Sequence, residues 1–241
     1  MSGANEAADF SAEVLRINER YTVEVVEALG TCPFARPARH GGEVARAVVL
    51  ERDEARARRA TLDELHRLAG DHPEISIVLV IHPLMNLSPR AWDDWVQKLR
   101  EGEDAGRGAR AEFVAAPFHP GYPLDARTPE RAVPFFRRSP DPLVQWVRLS
   151  VLDAVRGRHH DTFHFDYSPS AWKELERRLG TRSVTERITA DNHALLDGGG
   201  ASGIGREEIE RRYADIAADR ARSYARFPLW RERGGEAARH V

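Results

Sequence analysis

Short apolar segments alternate with amphipathic helical patterns between residues 44 and 120, and this alternation constrains the fold more than any other feature. The apolar segments, which have the length and side-chain types of strands, are VARAVVLE (44–51), ISIVLVI (75–81) and AEFVAAPFHP (111–120). A helix is predicted from near Thr61, between the first two, and another over 88–100, between the last two. Two consecutive βαβ crossovers predict an α/β fold, with a small, mainly parallel sheet and flanking helices.

Further helices are predicted on either side of these crossovers. Apolar residues recur at helical spacing from Ser11 to Leu29, and Gly30 is the expected stop. The segment 143–157 is predicted as an amphipathic helix, whereas the proline-rich segment 128–142 is predicted as irregular.

The chain is predicted to consist of a core and an appendage. Residues 1–157 are assigned to the α/β core domain. Residues 158–241 are expected to form an edge strand, an insertion and C-terminal helices packed on the core, with 207–227 as the longest of these helices. The Gly-rich segment 195–205 lacks a preceding strand and a Gly-Lys-Ser/Thr ending, so we interpret it as a flexible linker and not as a phosphate-binding loop.

Composition excludes several classes of protein. Lys and Arg number 36 and Asp and Glu 38, for a net charge of −2, so no nucleic acid is expected as partner. The longest apolar run, 75–81, is too short to cross a bilayer, so no membrane partner is expected. A single cysteine forms no internal disulfide and the N-terminal residues lack a signal-peptide pattern, which leads us to expect a cytoplasmic protein.

Two His-Pro dipeptides mark the candidate site. His82-Pro83 and His119-Pro120 each follow a predicted parallel strand. Open α/β sheets bind their ligands at the carboxyl ends of the strands, so both imidazoles are expected at one end of the sheet, facing one pocket. A single histidine in such a place is more often structural, but two in equivalent places favour a functional site.

Cys32, the only cysteine, lies just after the first predicted helix, and its role has three interpretations. Paired with His82 or His119, the thiol is a candidate nucleophile or redox group. The same three side chains are also of the types that bind zinc or iron, and a cysteine before proline is a candidate haem ligand. The third interpretation is a packed, inert cysteine. Simple topology places Cys32 at the opposite end of the sheet, although its loop is long enough to return.

The segment FFRRSP (135–140) supplies candidate ligand-binding residues. A guanidinium in such a loop forms two parallel hydrogen bonds to a carboxylate or a phosphate. Neighbouring arginines usually point apart, so at most one of Arg137 and Arg138 is expected in a site. Tyr122 and Asp125 follow His119 closely and are candidates to orient the imidazole or the substrate.

The ordered motifs CPFA, IHP, FHP and RSP resemble those of an uncharacterised bacterial family of unknown function, whose members typically contain Leu-Cys-Pro-Phe-Ala, Ile-His-Pro, Phe-His-Pro and Asn-Arg-Ser-Pro. The resemblance covers about residues 10–157 and implies no activity. This chain departs from the pattern at Arg137, where Asn is usual, and at Gln145 and Leu149, where His and Glu are expected. Residues 158–206 look like an insertion by the same comparison.

These observations predict a small-molecule enzyme with a site at the carboxyl ends of the strands and an anionic ligand. The residues predicted to act on the substrate are Cys32, His82 and His119, and those predicted to bind it are Arg138, Ser139 and Tyr122. The alternatives are a metal- or haem-binding protein that uses the same cysteine and histidines, and a non-catalytic anion-binding module. The sequence specifies neither the reaction and cofactor nor the oligomeric state.

Overall fold

The computed structural model describes residues 3–70, 72–107, 113–148, 184–199 and 203–231. The helices are α1 (Gly3–Tyr21), α2 (Ala35–His40), α3 (Glu54–Ala69), α4 (Pro89–Arg107), α5 (Pro129–Phe136), α6 (Val184–Leu196), α7 (Arg206–Tyr224) and α8 (Pro228–Arg231). A π-helical segment, Thr22–Glu27, continues α1. The strands are β1 (Val44–Val48), β2 (Ile77–Ile81), β3 (Phe113–Phe118) and β4 (Leu143–Arg148).

The strands form one mixed sheet in the order β1-β2-β4-β3. β1 pairs with β2 in parallel, whereas β4 lies between β2 and β3 and is antiparallel to both. In this register Leu143 is opposite Ile81 on one side and Phe118 on the other. The prediction of a fold built from helices and strands is confirmed, but the prediction of a mainly parallel sheet is wrong, because β4 separates β2 from β3.

The misassigned segment explains this error. Leu143, Val144, Trp146 and Val147 are buried, and their spacing fits an amphipathic helix, which we predicted over 143–157. A central strand is covered on both faces, so its apolar residues do not alternate with polar ones. Leu143 accordingly belongs to one hydrophobic core and Trp146 to the other.

Helices cover both faces of the sheet. The first core lies under α1, α5 and α7, and joins Phe10 and Ile17 to Ile81 and Leu143 of the sheet. The second core lies under α3 and α4 and is built around large side chains such as Trp92, Trp95 and Trp146.

Local capping chemistry sets the observed helix boundaries. The Asp53 carboxylate accepts hydrogen bonds from the amides of Ala55 and Arg56, so α3 begins at Glu54 and not near Thr61 as predicted. The predicted cap Ser88 does accept a hydrogen bond from an amide of α4. The predicted stop at Gly30 is also confirmed, since this glycine has φ +67°.

The segment 128–142 is not wholly irregular, because Thr128 caps α5 within it. The segment predicted as a linker begins within α6, which includes residues 195 and 196, and its described residues 197–199 and 203–205 lie between α6 and α7, where Gly198 and Gly203 have positive φ. The predicted edge strand lies outside the described residues.

The C-terminal helices pack on the first core through a buried polar network. The Asp141 carboxylate, just before β4, accepts hydrogen bonds from Arg220 at 2.7 Å and from the Tyr224 hydroxyl at 2.8 Å. The ring of Tyr224 contacts Phe10 of α1 edge-on, at 5.0 Å between ring centroids. Among the helices of the described residues, none combines the length and the apolarity that a membrane span requires.

Candidate functional site

The two His-Pro histidines lie at the same end of the sheet. β2 and β3 run in the same direction, and their last residues flank the first residue of β4. The His82 amide donates to the Pro142 carbonyl at 2.8 Å, and the His119 amide donates to the Arg137 carbonyl at 3.1 Å. The expectation of a common end is therefore confirmed, but an intervening strand separates the two residues.

The His82 imidazole is completely buried in the second core. Its Nε2 lies 3.2 Å from the Thr61 hydroxyl, whose own proton is donated to the Ala57 carbonyl at 2.7 Å, so Nε2 carries the hydrogen and donates it to Thr61. The rings of Trp92 and Trp95 cover the imidazole. Nδ1 has no hydrogen-bond partner among the described residues. Burial lowers the pKa of His82 from 6.5 to about 3, so the ring is neutral.

The His119 imidazole is also buried, and both of its nitrogens are in use. Nε2 lies 3.0 Å from the Leu87 carbonyl and donates to it, while Nδ1 accepts a hydrogen bond from the Gly121 amide at 3.0 Å. A Cβ at Gly121 would lie 3.3 Å from the ring, so glycine permits this close approach. The two imidazoles thus have separate partners: His82 contacts helix α3, and His119 fastens the loop before α4 to the end of the sheet.

Cys32 is a free, half-buried cysteine in the loop before α2. Burial raises the pKa of its thiol, an effect that hydrogen bonds from the amides of Phe34 and Ala35 oppose. No hydrogen bond joins the thiol to an imidazole in the described part of the chain. Nor do the described residues contain any group of three or more His, Cys, Asp or Glu side chains placed to hold a metal ion.

The predicted substrate-binding residues form hydrogen bonds with other groups of the protein; these residues are Arg138, Ser139 and Tyr122. The Arg138 Nε donates to the Tyr122 carbonyl at 2.5 Å, and its guanidinium lies 4.6 Å from the centroid of the Phe135 ring. The buried Ser139 hydroxyl donates to the Asp141 carbonyl at 2.5 Å. The Tyr122 hydroxyl donates to the Asp93 carboxylate.

Arg137 is the residue that stands out electrostatically. Its side chain is half-buried, and its guanidinium lies 5.9 Å from the centroid of the Phe118 ring. Within the described residues, this guanidinium makes no hydrogen bond and no ion pair. Burial lowers the pKa of Arg137, and electrostatic interactions with Tyr122, Asp93 and Tyr21 oppose this effect.

The Tyr21 phenol is the second group without a partner. Its side chain is buried at the end of α1, and its hydroxyl has no hydrogen-bond partner in the described part of the chain. Burial raises the pKa of Tyr21 well above its ordinary value, and the groups that act on it electrostatically are Tyr213, Cys32 and Arg137. We call the Arg137 guanidinium, with the Phe118 ring beside it, the Arg137 site.

The π-helical segment begins directly after Tyr21. Such segments are rare and frequently occur at functional sites, because they alter the direction of the side chains beside them. Sequence reasoning considered Arg137 only as one of two adjacent arginines and Tyr21 only as an apolar position of a helix. The departure of Arg137 from the Asn of the resembling family was the one signal that singled it out.

Comparison with known proteins gives one match. The model of a family described as protein of unknown function (DUF1415) matches residues 13–170, which is more than half of the chain. No curated protein and no solved structure matches.

Proposed function

Because the chain belongs to DUF1415, a family of unknown function, we propose from its own geometry that it binds a small anionic molecule at the Arg137 site. The observation that carries this proposal is the half-buried guanidinium of Arg137, which has no hydrogen bond and no counter-ion within the described residues. An anion from solution would supply both the hydrogen-bond acceptors and the negative charge that the described residues do not provide.

Comparison with other arginines of the chain supports this proposal. The Arg39 guanidinium lies 2.6 Å from the buried Glu27 carboxylate, and that of Arg220 lies 2.5 Å from the buried Asp141 carboxylate. Removal of a charge from water is costly unless an opposite charge or hydrogen bonds compensate it. Arg137 lacks this compensation, and bound anions commonly fill such a position in binding sites.

The Tyr21 hydroxyl is a second donor for the same ligand. A buried hydroxyl without a partner costs roughly 1–3 kcal/mol, and native proteins contain few of them. Its position among the electrostatic neighbours of Arg137 makes a shared ligand the simplest explanation of both groups.

We favour binding over catalysis because the imidazoles proposed as acid and base each have structural partners. A thiol-dependent reaction remains a prediction. Against it stands that burial raises the pKa of the Cys32 thiol and so disfavours the thiolate.

Substitution of Arg137 tests the proposal. The wild-type protein, Arg137→Gln and the matched control Arg138→Gln are titrated calorimetrically with small carboxylates and phosphates at fixed ionic strength, because salt screens such contacts. Binding by the wild type and the control but not by Arg137→Gln is expected. The free energy of unfolding of Arg137→Gln, measured in urea, should also exceed that of the wild type by about 0.5–2 kcal/mol, as is common when a residue kept for binding is replaced. Equal binding by all three proteins would refute the proposal.

A further inference from the structure

Helix α6 joins two loops that are far apart in the sequence. The side-chain amide of Asn192 donates to the Thr31 carbonyl at 3.1 Å, in the loop before α2. Nε2 of the next residue, His193, lies 2.8 Å from the Ala126 carbonyl, in the loop before α5. A carbonyl oxygen only accepts hydrogen bonds, so this nitrogen carries the hydrogen and donates it. Adjacent side chains leave a helix about 100° apart, so α6 lies between the two loops and fastens both.

The two loops and the helix differ in their relation to the family. Thr31 and Ala126 lie within residues 13–170, which match the family model, whereas α6 begins beyond them at Val184. The helix is therefore an element outside the matched region whose side chains hold two loops inside it. Such an element is in a position to control how far those loops open.

The contacts of α6 with these loops are accessible to water. Asn192 and His193 are half-buried and Ala126 is exposed, so water competes for both hydrogen bonds. Among the described residues, the side chains that α6 buries in the first core are Leu195 and Leu196, the last two of the helix. Polar contacts that water can replace, beside a short apolar contact, are typical of segments that open locally.

Helix α7 is fastened in a different way. The Arg220 guanidinium lies 2.5 Å from the buried Asp141 carboxylate, and the Tyr224 hydroxyl donates to the same carboxylate at 2.8 Å. Ile209 and Ile216 of this helix are buried in the first core. Separation of the buried ion pair is costly because it leaves a charge without compensation. We therefore expect α7 to stay in place when α6 detaches.

Cys32 lies directly beside one attachment of α6. The Thr31 carbonyl belongs to the peptide bond that joins Thr31 to Cys32, so the Asn192 amide contacts the backbone at the cysteine itself. The thiol is free, in a half-buried residue, and the chain has no other cysteine. The reactivity of Cys32 therefore reports on this loop alone.

We propose that α6 is a releasable cover, which detaches locally from the loops at Thr31 and Ala126 while the sheet and α7 stay folded. The hydrogen bonds of Asn192 and His193 hold the closed state, and water replaces them in the open state. Opening exposes Cys32 and frees the loop between His119 and α5. This inference goes beyond the proposed function, because no bound anion takes part in it.

Labelling of Cys32 with iodoacetamide in the full chain at pH 8.5 measures the open state. When closing is faster than labelling, the rate is proportional to the population of open molecules. Asn192→Ala and His193→Ala each remove one hydrogen bond, so each is expected to raise the rate about 2- to 10-fold, which corresponds to about 0.4–1.4 kcal/mol. The matched controls should stay within about 2-fold of the wild type: His193→Gln keeps a donor, and Asp191→Ala changes an exposed side chain of the same helix.

Two further measurements separate release of α6 from global unfolding. Thr61→Val removes hydrogen bonds in the second core, away from α6, so its urea midpoint should fall while its labelling rate stays at the wild-type value. Hydrogen exchange of residues 184–196, measured by mass spectrometry, should accelerate in Asn192→Ala and His193→Ala by the same factor as the labelling.

Three results would overturn the inference. A labelling rate that rises in Thr61→Val in proportion to the lost stability would show that Cys32 is reached only by global unfolding. Equal rates in the wild type, Asn192→Ala and His193→Ala would show that α6 does not cover the cysteine. Wild-type labelling as fast as that of the urea-unfolded chain would show that Cys32 is already accessible. All three leave the anion-binding proposal untouched, since Arg137→Gln tests it separately.

Discussion

Acidification should destabilise this protein through one buried histidine. His82 is 0% exposed, its neighbours Thr61, Trp92 and Trp95 are uncharged, and its Nδ1 has no acceptor for a second proton within the described core. The unfolded chain protonates this residue near its ordinary pKa of 6.5, whereas the folded chain does so only near pH 3. Between these values the unfolded state binds one more proton, so the free energy of unfolding falls as the pH falls.

The size of the effect follows from the two pKa values. At pH 5 the folded imidazole is still neutral, and the medium is about 1.5 pH units below the unfolded pKa. Each unit corresponds to about 1.36 kcal/mol, so the loss between pH 7.5 and 5 is about 2 kcal/mol. The full contribution is present above pH 6.5, and most carboxylates titrate below this window.

Urea unfolding at pH 7.5 and pH 5, with wild type and His82→Gln, measures this contribution. The glutamine amide is able to donate to Thr61 but does not titrate, so the variant should lose about 2 kcal/mol less than the wild type between the two pH values. Subtraction of the two proteins cancels the other histidines of the chain, which has ten in all. Thr61→Val is the control: it keeps the imidazole, so it should be less stable at both pH values but show the wild-type change. Equal losses in wild type and His82→Gln would refute the argument.

Two further predictions concern other polar groups. Asp141→Asn should destabilise the fold by about 3 kcal/mol in urea unfolding, because it breaks a buried ion pair and leaves the charge of Arg220 uncompensated; a loss below about 1 kcal/mol would show that the network contributes little. Iodoacetamide should label Cys32 in the folded protein only slowly at pH 7 and faster above pH about 8.5, because burial raises the pKa of the thiol. Rapid labelling at pH 7 would instead indicate an activated thiolate and favour thiol chemistry.

Local pattern was sufficient where an apolar run is uninterrupted or a cap is present. β2 was predicted from an apolar run between charged or polar residues, and α4 from the cap at Ser88. β4 was missed because Gln145 interrupts its apolar run, so that the buried residues have the spacing of an amphipathic helix. Because β4 was predicted as a helix, the sheet was also predicted as mainly parallel, although it is mixed.

For the site, position along the chain predicted where residues lie but not what they contact. The place of His82 and His119 after their strands correctly predicted a common end of the sheet. Their partners, the Thr61 hydroxyl and the Leu87 carbonyl, come from distant segments, and no spacing rule predicts such contacts. Arg137 differed from its neighbour in the sequence only by standing where the resembling family has Asn, and the folded environment was needed to show which arginine lacks a partner.

The position of β4 also bears on how the protein is made. The last described strand of the chain is an inner strand of the sheet, and both β2 and β3 pair with it. During synthesis, β2 and β3 leave the ribosome before β4, and their unpaired edges are competent to pair with other chains until residues 143–148 have also left it. A nascent chain stalled before β4 is therefore the species most exposed to aggregation and the one that chaperones would be expected to bind.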